Sequence, residues 1–192
     1  MPPKQKITRE MILEAAIQLV RKSGIDNVNS RNIAKELSCS TQPVFSQFAT
    51  MEELRKGVFD YACHRFVDEV LQNTDNPDFL QLSTLWYINL MRNEKNLYKL
   101  LYFSSGFDSG RLTDVLIGNF KSNHMMIEKM QKDYSLDETA CQDILLRAFS
   151  CLHGIGSLIT FNNFEISDTE ISELLKRTVR DMVEAASKNK EA

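Results

Sequence analysis

Apolar residues recur every three or four positions along most of the chain, and this spacing is the strongest constraint on its fold. In the last long segment Ile171, Leu175, Val179 and Met182 would lie on one face of a helix of about four turns. The 192 residues include only 7 glycines and 4 prolines, and no pair of strand-like segments is apparent. The sequence therefore predicts an all-α protein of about nine helices. The predicted helices cover about 8–23, 30–37, 41–47, 51–73, 79–92, 94–103, 109–133, 136–161 and 168–187.

Polar residues predict where several of these helices begin and end. Thr8 and Gly24 are placed to cap the two ends of the first helix. A serine or threonine followed three residues later by glutamate is a capping box, which satisfies two backbone N–H groups at a helix start. Helices are therefore expected to begin at three such pairs, which are Thr50 with Glu53, Ser135 with Glu138, and Ser167 with Glu170.

Charge divides the chain into two parts near residue 50. Residues 1–50 carry 7 Lys and Arg against 4 Asp and Glu, whereas residues 51–192 carry 16 against 22. A basic part joined to an acidic part indicates that the first meets a polyanion and the second does not. We therefore expect two domains, 1–50 and 51–192. No apolar run approaches the roughly 18–20 residues of a membrane span, and the N-terminus is polar, so we expect a cytoplasmic protein with no membrane partner.

Residues 29–48 have the spacing of a helix-turn-helix. Asn29 or Ser30 can cap a first helix, an abrupt turn follows at 38–40, and Ser40 can cap a second helix. Pro43 falls in the first turn of that second helix, where its missing N–H has no intrahelical partner. Such a pair places its second helix in a DNA major groove. The same pattern is also compatible with a helical hairpin that is only structural.

The region from Arg9 to Leu54 carries a more specific pattern. Its matching positions are Arg9, Ile12, Leu13, Ala15, Ala16, Gly24, Asn29, Ser30, Ile33, Ala34, Ser38, Cys39, Ser40, Val44, Phe45, Phe48, Met51, Glu52 and Leu54. In these positions the region resembles the N-terminal domain of the TetR family of bacterial transcriptional regulators. Phe45 stands where that family usually has tyrosine, and Met51 where it usually has lysine. The resemblance implies an N-terminal three-helix DNA-binding domain and a C-terminal helical bundle for ligand binding and dimerisation.

Side chains near the two helix starts predict how the DNA is read. Arg31 could donate to guanine O6 and N7, Gln42 could pair with adenine, and Pro43 could contact a thymine methyl group. Arg9 could add a phosphate contact. The remaining residues of the predicted interface, mostly phosphate partners, are Asn29, Ser30, Ser40, Thr41, Phe45, Ser46 and Gln47. The expected partner is double-stranded operator DNA.

Aromatic and sulfur-containing side chains are dense between residues 79 and 164. Most of them are expected in the core, yet methionines and aromatics together also suit an adaptable apolar cavity. The resemblance implies a ligand-binding domain here. The predicted ligand-binding residues are Trp86, Phe103, Met126, Phe149 and His153, and the expected effector is small and mostly apolar. His153 is equally compatible with a hydrogen-bonded histidine of the core.

Two glycines in the predicted helix 136–161 indicate close approach of another helix. Glycine in a helix interior costs about 1 kcal/mol relative to alanine, so Gly154 and Gly156 need a reason to be there. The resemblance implies a homodimer formed by two-fold pairing of this helix and the last one. The residues predicted in that interface are Gly154, Ser157, Leu175, Val179 and Met182.

No motif for catalysis, cofactor binding or metal binding is found in the sequence. A Walker loop, an H-E-x-x-H motif and a G-x-S-x-G motif are absent, and the four cysteines include no C-x-x-C pair. We therefore interpret the chain as a ligand-responsive transcriptional regulator, most consistent with a repressor, and not as an enzyme. The alternative is a helical small-molecule binding or interaction protein whose DNA-binding head has degenerated, an interpretation that Phe45 and Met51 favour.

Overall fold

The computed structural model describes the backbone of residues 6–71, 79–103 and 121–191, with side chains for 6–66, 81–103 and 123–188. All regular structure in these ranges is helical, which confirms the all-α prediction. The nine α-helices of the described ranges are α1 (Arg9–Ser23), α2 (Ser30–Glu36), α3 (Gln42–Gln47), α4 (Met51–Leu71), α5 (Phe79–Asn93), α6 (Lys95–Phe103), α7 (Lys121–Tyr134), α8 (Glu138–Asn162) and α9 (Asp168–Glu191). The predicted helical residues 72–73 and 109–120 lie outside the described residues.

The chain folds into two compact units. Unit 1 consists of Met1–Phe66 and Glu94–Gly106, and unit 2 consists of Val67–Asn93 and Phe107–Ala192. This division differs from the boundary predicted at residue 50, because most of α4 and all of α6 pack with the three N-terminal helices. The functional boundary at residue 50 stays a prediction.

Helix α1 is the centre of unit 1. It contacts α2, α3 and α6, and Ile12, Ala16 and Val20 on its inner face are fully buried. Its predicted caps are confirmed, since the Thr8 hydroxyl accepts the N–H of Met11 and the N–H of Gly24 donates to a carbonyl in the last turn. The apolar stripe read from the sequence is therefore the stripe around which the head, helices α1–α3, is assembled.

Helix α6 and the residue before it contact the C-terminal end of α1. The amide of Asn96 donates to the carbonyl of Arg21 at 3.1 Å, and Arg21 forms an ion pair with Glu94 at 3.2 Å. The same guanidinium lies 5.2 Å from the ring centroid of Phe66. Because the last carbonyls of a helix have no partner within it, Asn96 satisfies a group that α1 leaves open.

Helix α8 is the centre of unit 2 and packs against α5, α7 and α9. A cluster of buried side chains, which we call the core cluster, joins these helices: Met126, Ile127, Met130, Leu136, Cys141, Ile144 and Leu145. At the other end of α8 the hydroxyl of Thr160 donates to the carbonyl of Met91. Arg92 of α5 donates to the carbonyl of Ile166 and pairs with Asp168 at 3.0 Å, which fixes the start of α9.

Within the described ranges α8 is the one helix long and apolar enough to cross a membrane by length and composition. The expectation that no segment approaches such a length is therefore wrong for this helix. A core helix passes the same test, and Ile144, Leu145, Leu152 and Ile159 of α8 are buried within unit 2. Packing against three other helices accounts for its apolar composition.

The capping box predicted at Ser167 is confirmed in full and that at Thr50 in part, since the Glu53 carboxylate accepts the N–H of Ala49 and not that of Thr50. Thr50 accepts the N–H of Glu53 at 3.0 Å, and the Ser167 hydroxyl accepts the N–H of Glu170 while the Glu170 carboxylate accepts in return. The third prediction is wrong. Ser135 has a left-handed backbone with φ of 54°, and Asp137 caps α8 instead. The Asp137 carboxylate accepts the N–H of Ala140 at 2.8 Å, so the helix starts two residues later than a cap at Ser135 would place it.

The turn between α2 and α3 is closed by a pair of backbone hydrogen bonds. The N–H of Cys39 donates to the carbonyl of Ala34 at 2.9 Å, and the N–H of Ser38 donates to that of Lys35 at 3.2 Å. This is a Schellman motif, whose reversal requires a left-handed residue. Ser38 takes that conformation with φ of 51°.

Replacing Ser38 by glycine should stabilise unit 1. The left-handed region costs an L-residue roughly 1–2 kcal/mol, and glycine adopts it without that steric penalty. Because glycine also loses more chain entropy on folding, we expect a net gain of about 1 kcal/mol, measured by urea unfolding.

The matched control is Ser40→Gly, two residues later in the same turn, where the backbone is not left-handed. This substitution should leave stability unchanged or lower it. Equal stabilisation by both variants would show that the φ angle of Ser38 is not the cause.

Candidate DNA-binding and effector sites

Helices α2 and α3 carry the predicted DNA-binding surface. Asn29 caps α2 by accepting the N–H of Asn32 at 3.0 Å, which resolves the choice between Asn29 and Ser30. The prediction that Ser40 caps the second helix is wrong. Helix α3 begins at Gln42, and Thr41 occupies the capping position without a side-chain hydrogen bond. Pro43 lies in the first turn, as predicted, so it breaks no helical hydrogen bond.

The predicted DNA contacts are accessible on this surface. Phe45 is 54% exposed, a large fraction for an aromatic side chain. Among the other predicted DNA-contact residues, the exposed ones are Arg31, Ser40, Gln42 and Ser46. The half-buried ones are Asn29, Ser30, Thr41, Pro43 and Gln47. Helix α3 itself carries no charged residue. Its side chains can therefore read base edges by hydrogen bonds and apolar contact, while phosphate binding must come from other elements.

Arg9 makes structural contacts within unit 1, and its expected phosphate contact stays a prediction. Its guanidinium donates to the carbonyl of Gln47 at 2.8 Å, pairs with Glu53 at 3.4 Å and lies 4.0 Å from the centroid of the Phe48 ring. Gly57 of α4 approaches the same ring so closely that an added Cβ would lie 3.0 Å from it. These contacts tie the end of α3 to α1 and α4.

Three exposed cations lie before and after α3 in the sequence. None of them was predicted as a site residue. Lys35 lies in the last turn of α2, and Arg55 and Lys56 lie in the first two turns of α4. All three are exposed, as is Arg31, and among the described residues no ion pair to them is recorded. The sequence already contained a signal for Arg55 and Lys56. They lie between the apolar residues Leu54 and Val58, which α4 buries, so both cations fall on the outer face of that helix.

Unit 2 brings together four of the five residues predicted to bind a ligand. Trp86 and Phe149 pack against the core cluster, to which Met126 belongs. The ring of Phe149 lies 6.1 Å from that of His153, and both rings surround Tyr87. We call Trp86, Met126, Phe149 and His153 the aromatic site.

Phe103 does not belong to this group. It lies on α6 in unit 1, is 49% exposed, and packs edge-on against Tyr98 with 5.4 Å between ring centroids. The sequence could not separate it from the others, because an aromatic at the end of a short helix has the same pattern whichever unit it joins.

His153 is held as an uncharged hydrogen-bonded residue. The Tyr87 hydroxyl lies 2.6 Å from its Nδ1 and 3.0 Å from its Nε2, so a neutral ring can accept the hydroxyl proton. Burial away from water lowers the pKa of His153 to about 4. These contacts support the interpretation of His153 as a core histidine, and they leave an apolar and neutral wall at the aromatic site.

The predicted dimer residues fall into two groups. Leu175 is 7% exposed, and Val179 and Met182 pack against the core cluster, so the inner face of α9 is used within the protomer. Their assignment to a dimer interface is not tested by these contacts and stays a prediction. On α8, Gly154 is exposed, and no atom of the described chain lies within 4 Å of a Cβ built there. Ser157 is half-buried beside it.

The outer face of α8 is apolar. Leu158 is 46% exposed and Phe161 is 50% exposed, and they lie four and seven residues after Gly154. We call Gly154, Leu158 and Phe161 the outer stripe of α8. Single exposed apolar residues need no explanation, but a stripe along one helix face indicates a surface for a partner.

Catalytic or metal-binding chemistry finds little support among the described residues. No group of three or more His, Cys, Asp or Glu side chains that could hold a metal ion occurs there. Burial raises the pKa of the Cys63 thiol to about 12, so it carries no reactive thiolate at neutral pH.

Comparison with known proteins identifies the fold. No family model matches the sequence, and no curated protein matches it significantly. Among solved structures, the multidrug binding protein EbrR, complexed with imidazole, is similar over 88% of this chain and 93% of its own, with a TM-score of 0.53 and 18% identity. A protein from Pseudomonas aeruginosa PAO1, assigned as a transcriptional regulator, is similar over 94% of this chain and 92% of its own, with a TM-score of 0.58 and 10% identity. The chain therefore has a TetR-like fold.

The buried histidine predicts how stability depends on pH. The pKa of His153 is about 4 in the native state against 6.5 for an ordinary histidine. Between these values the unfolded chain binds a proton that the native chain does not, so stability falls as pH decreases from about 6.5 to about 4. Urea unfolding at a series of pH values should show a smaller loss for His153→Gln than for the wild type.

His124→Gln is the control, because His124 is exposed on α7. It should keep the pH dependence of the wild type. A His153→Gln profile that follows the His124→Gln profile would contradict a depressed pKa at His153.

Proposed function

We propose that this chain is a homodimeric, ligand-responsive transcriptional regulator that binds operator DNA through α2 and α3, and that it acts as a repressor released by a small molecule. The observation that carries the proposal is the exposed, uncharged helix α3 on a helix-turn-helix head. The TetR-like fold supports it, because one of the solved structures that share this fold is described as a transcriptional regulator.

DNA recognition is divided between neutral and basic residues in this proposal. Gln42 and Arg31 read base edges, with Pro43 and Phe45 in apolar contact beside them. Lys35, Arg55 and Lys56 bind phosphates, assisted by the polar side chains and N–H groups at the helix starts. Arg55 and Lys56 thereby replace the lysine that the family pattern has at Met51.

The effector in this proposal is small, mostly apolar and bound at the aromatic site. Its wall of Trp86, Phe149 and Met126 offers dispersion contacts, and the uncharged His153 adds no ionic requirement. The description of EbrR as a multidrug binding protein supports an effector of this type. Such a ligand changes DNA affinity only if it binds the two conformations of the regulator with different free energies.

The proposed regulator is a two-fold symmetric dimer. Operator half-sites one helical turn of DNA apart are bound by two heads about 34–36 Å apart, and a dimer supplies both heads. The outer stripe of α8 is the surface that a second copy would cover. It is apolar and exposed, and Gly154 leaves room for a helix backbone to approach. Because this stripe would be shared by both copies, the contact is self-complementary.

Sequence-selective DNA binding tests the core of the proposal. The operator is first selected from genomic fragments that co-purify with the protein, and binding is then measured by fluorescence anisotropy at several salt concentrations. Gln42→Ala and Arg31→Ala should each cost about 1–3 kcal/mol at particular base positions. Arg55→Ala and Lys56→Ala should weaken binding to all sequences and reduce the salt slope by about one each.

Lys132→Ala, an exposed cation on α7, is the control for these variants and should leave binding unchanged. If selected and scrambled duplexes bind equally at physiological salt, the protein is instead the helical ligand-binding or interaction protein with a degenerate head.

The oligomeric state tests the dimer separately. We expect the wild type to sediment as a dimer at micromolar concentration and Leu158→Glu to shift it towards monomer, because a carboxylate would be buried unpaired in the interface. His124→Glu introduces the same side chain at an exposed position on another helix and should remain dimeric. A dimeric Leu158→Glu variant would place the interface elsewhere.

A further inference from the structure

A groove of about 420 Å³ runs along α9 on unit 2, with its other wall formed by α5 and the end of α7. None of the residues of the aromatic site lines it. Its volume lies within the range of small-molecule sites. Two parallel rows of α9 side chains form its floor, and their chemistry differs.

The first row is apolar and rigidly supported. Leu175, Val179 and Val183 follow one another at four-residue spacing and all line the groove. Leu175 is buried, while Val179 and Val183 pack against the core cluster from the groove side. A ligand lying on this row would contact side chains that are already fixed by the core, so little ordering would be needed on binding.

The second row is polar and begins with an unsatisfied group. Ser172 is 7% exposed, and its hydroxyl has no hydrogen-bond partner although it lines the groove. A buried hydroxyl without a partner is unfavourable, because it has lost its water without replacement. A ligand oxygen that accepts from Ser172 would remove this penalty.

Cations continue the second row beyond Ser172. Lys176 and Arg180 follow at four-residue spacing, and both line the groove. Their neighbours hold them weakly, since Lys176 is 3.4 Å from Glu173 and Arg180 is 3.9 Å from Asp181, in exposed pairs. Glu184 adds one negative charge at the far end of the row. The end near Ser172 is therefore the positive end.

We propose that this groove is a second ligand site, which binds a small amphipathic anion. The apolar body of the ligand lies along Leu175, Val179 and Val183. Its carboxylate or sulfonate accepts from the Ser172 hydroxyl and faces Lys176 and Arg180. This site is distinct from the aromatic site, where the proposed effector is mostly apolar and bound beside an uncharged histidine.

The experiment uses 8-anilinonaphthalene-1-sulfonate as the probe, because it joins an aromatic body to one anionic group. Trp86 is the only tryptophan of the chain, and it packs on the same core cluster as Val179 and Val183, so energy transfer from Trp86 reports binding nearby. We expect saturable binding to the full-length protein. Octanoate should displace the probe, and 1-octanol at equal concentration should not.

Charge reversal with a matched control decides the location of the probe. Lys176→Glu with Arg180→Glu should weaken binding at least tenfold. Arg177→Glu with Lys188→Glu makes the same change in charge at exposed positions of α9 outside the groove and should leave binding within twofold. Equal affinities for the two double variants would overturn the proposal, as would displacement of the probe by 1-octanol alone.

Ser172→Ala tests the hydroxyl independently of folding defects. It should weaken probe binding and raise the urea midpoint of the ligand-free protein, because an unsatisfied buried hydroxyl is removed. A lower midpoint would contradict an unsatisfied hydroxyl. Probe affinity that falls as protein concentration rises would show a second copy of the chain in the groove and would also overturn the proposal.

Discussion

The ring of Phe48 is the point at which helices α1, α3 and α4 meet. The Arg9 guanidinium of α1 lies over its face, and Gly57 of α4 approaches it more closely than any side chain could without displacing the ring. Arg9 also binds the carbonyl of Gln47, the last residue of α3. Helix α3 has only six residues, so its own hydrogen bonds cannot fix its direction. These tertiary contacts fix the direction of α3 instead.

Local features of the fold could be predicted because they depend on neighbours in sequence. The helices follow from apolar periodicity, and the caps at Thr8, Thr50 and Ser167 follow from one side chain and one N–H. Ser135 failed because Asp137 competes for the same helix start. The packing of α6 against α1 could not be foreseen, since it joins Asn96 to Arg21 across 75 residues and leaves no periodic signal.

The candidate sites also contain features that the sequence predicts and features that depend on contacts between distant segments. Exposure of Gln42 and Arg31 follows from their places opposite the apolar face of short helices, and sequence is enough for that. Arg9 illustrates the limit, because the sequence does not reveal that this cation contacts the Phe48 ring and the Gln47 carbonyl at the end of α3. Val179 and Met182 show that periodicity identifies an apolar face but not whether the same chain or a second copy covers it.

The contacts around Phe48 restrict how a signal could reach the DNA. The Arg9 guanidinium of α1 pairs with Glu53 of α4 and also holds the Gln47 carbonyl and the Phe48 ring at the end of α3, so bending α3 alone would break both of its contacts to Arg9. The head is therefore expected to move as one rigid body. In the proposed homodimeric regulator, a bound ligand would leave the DNA-contacting surface of each head intact and alter only the pitch at which the two heads meet the double helix. Half-site spacing, and not base preference, would then be the quantity under regulation.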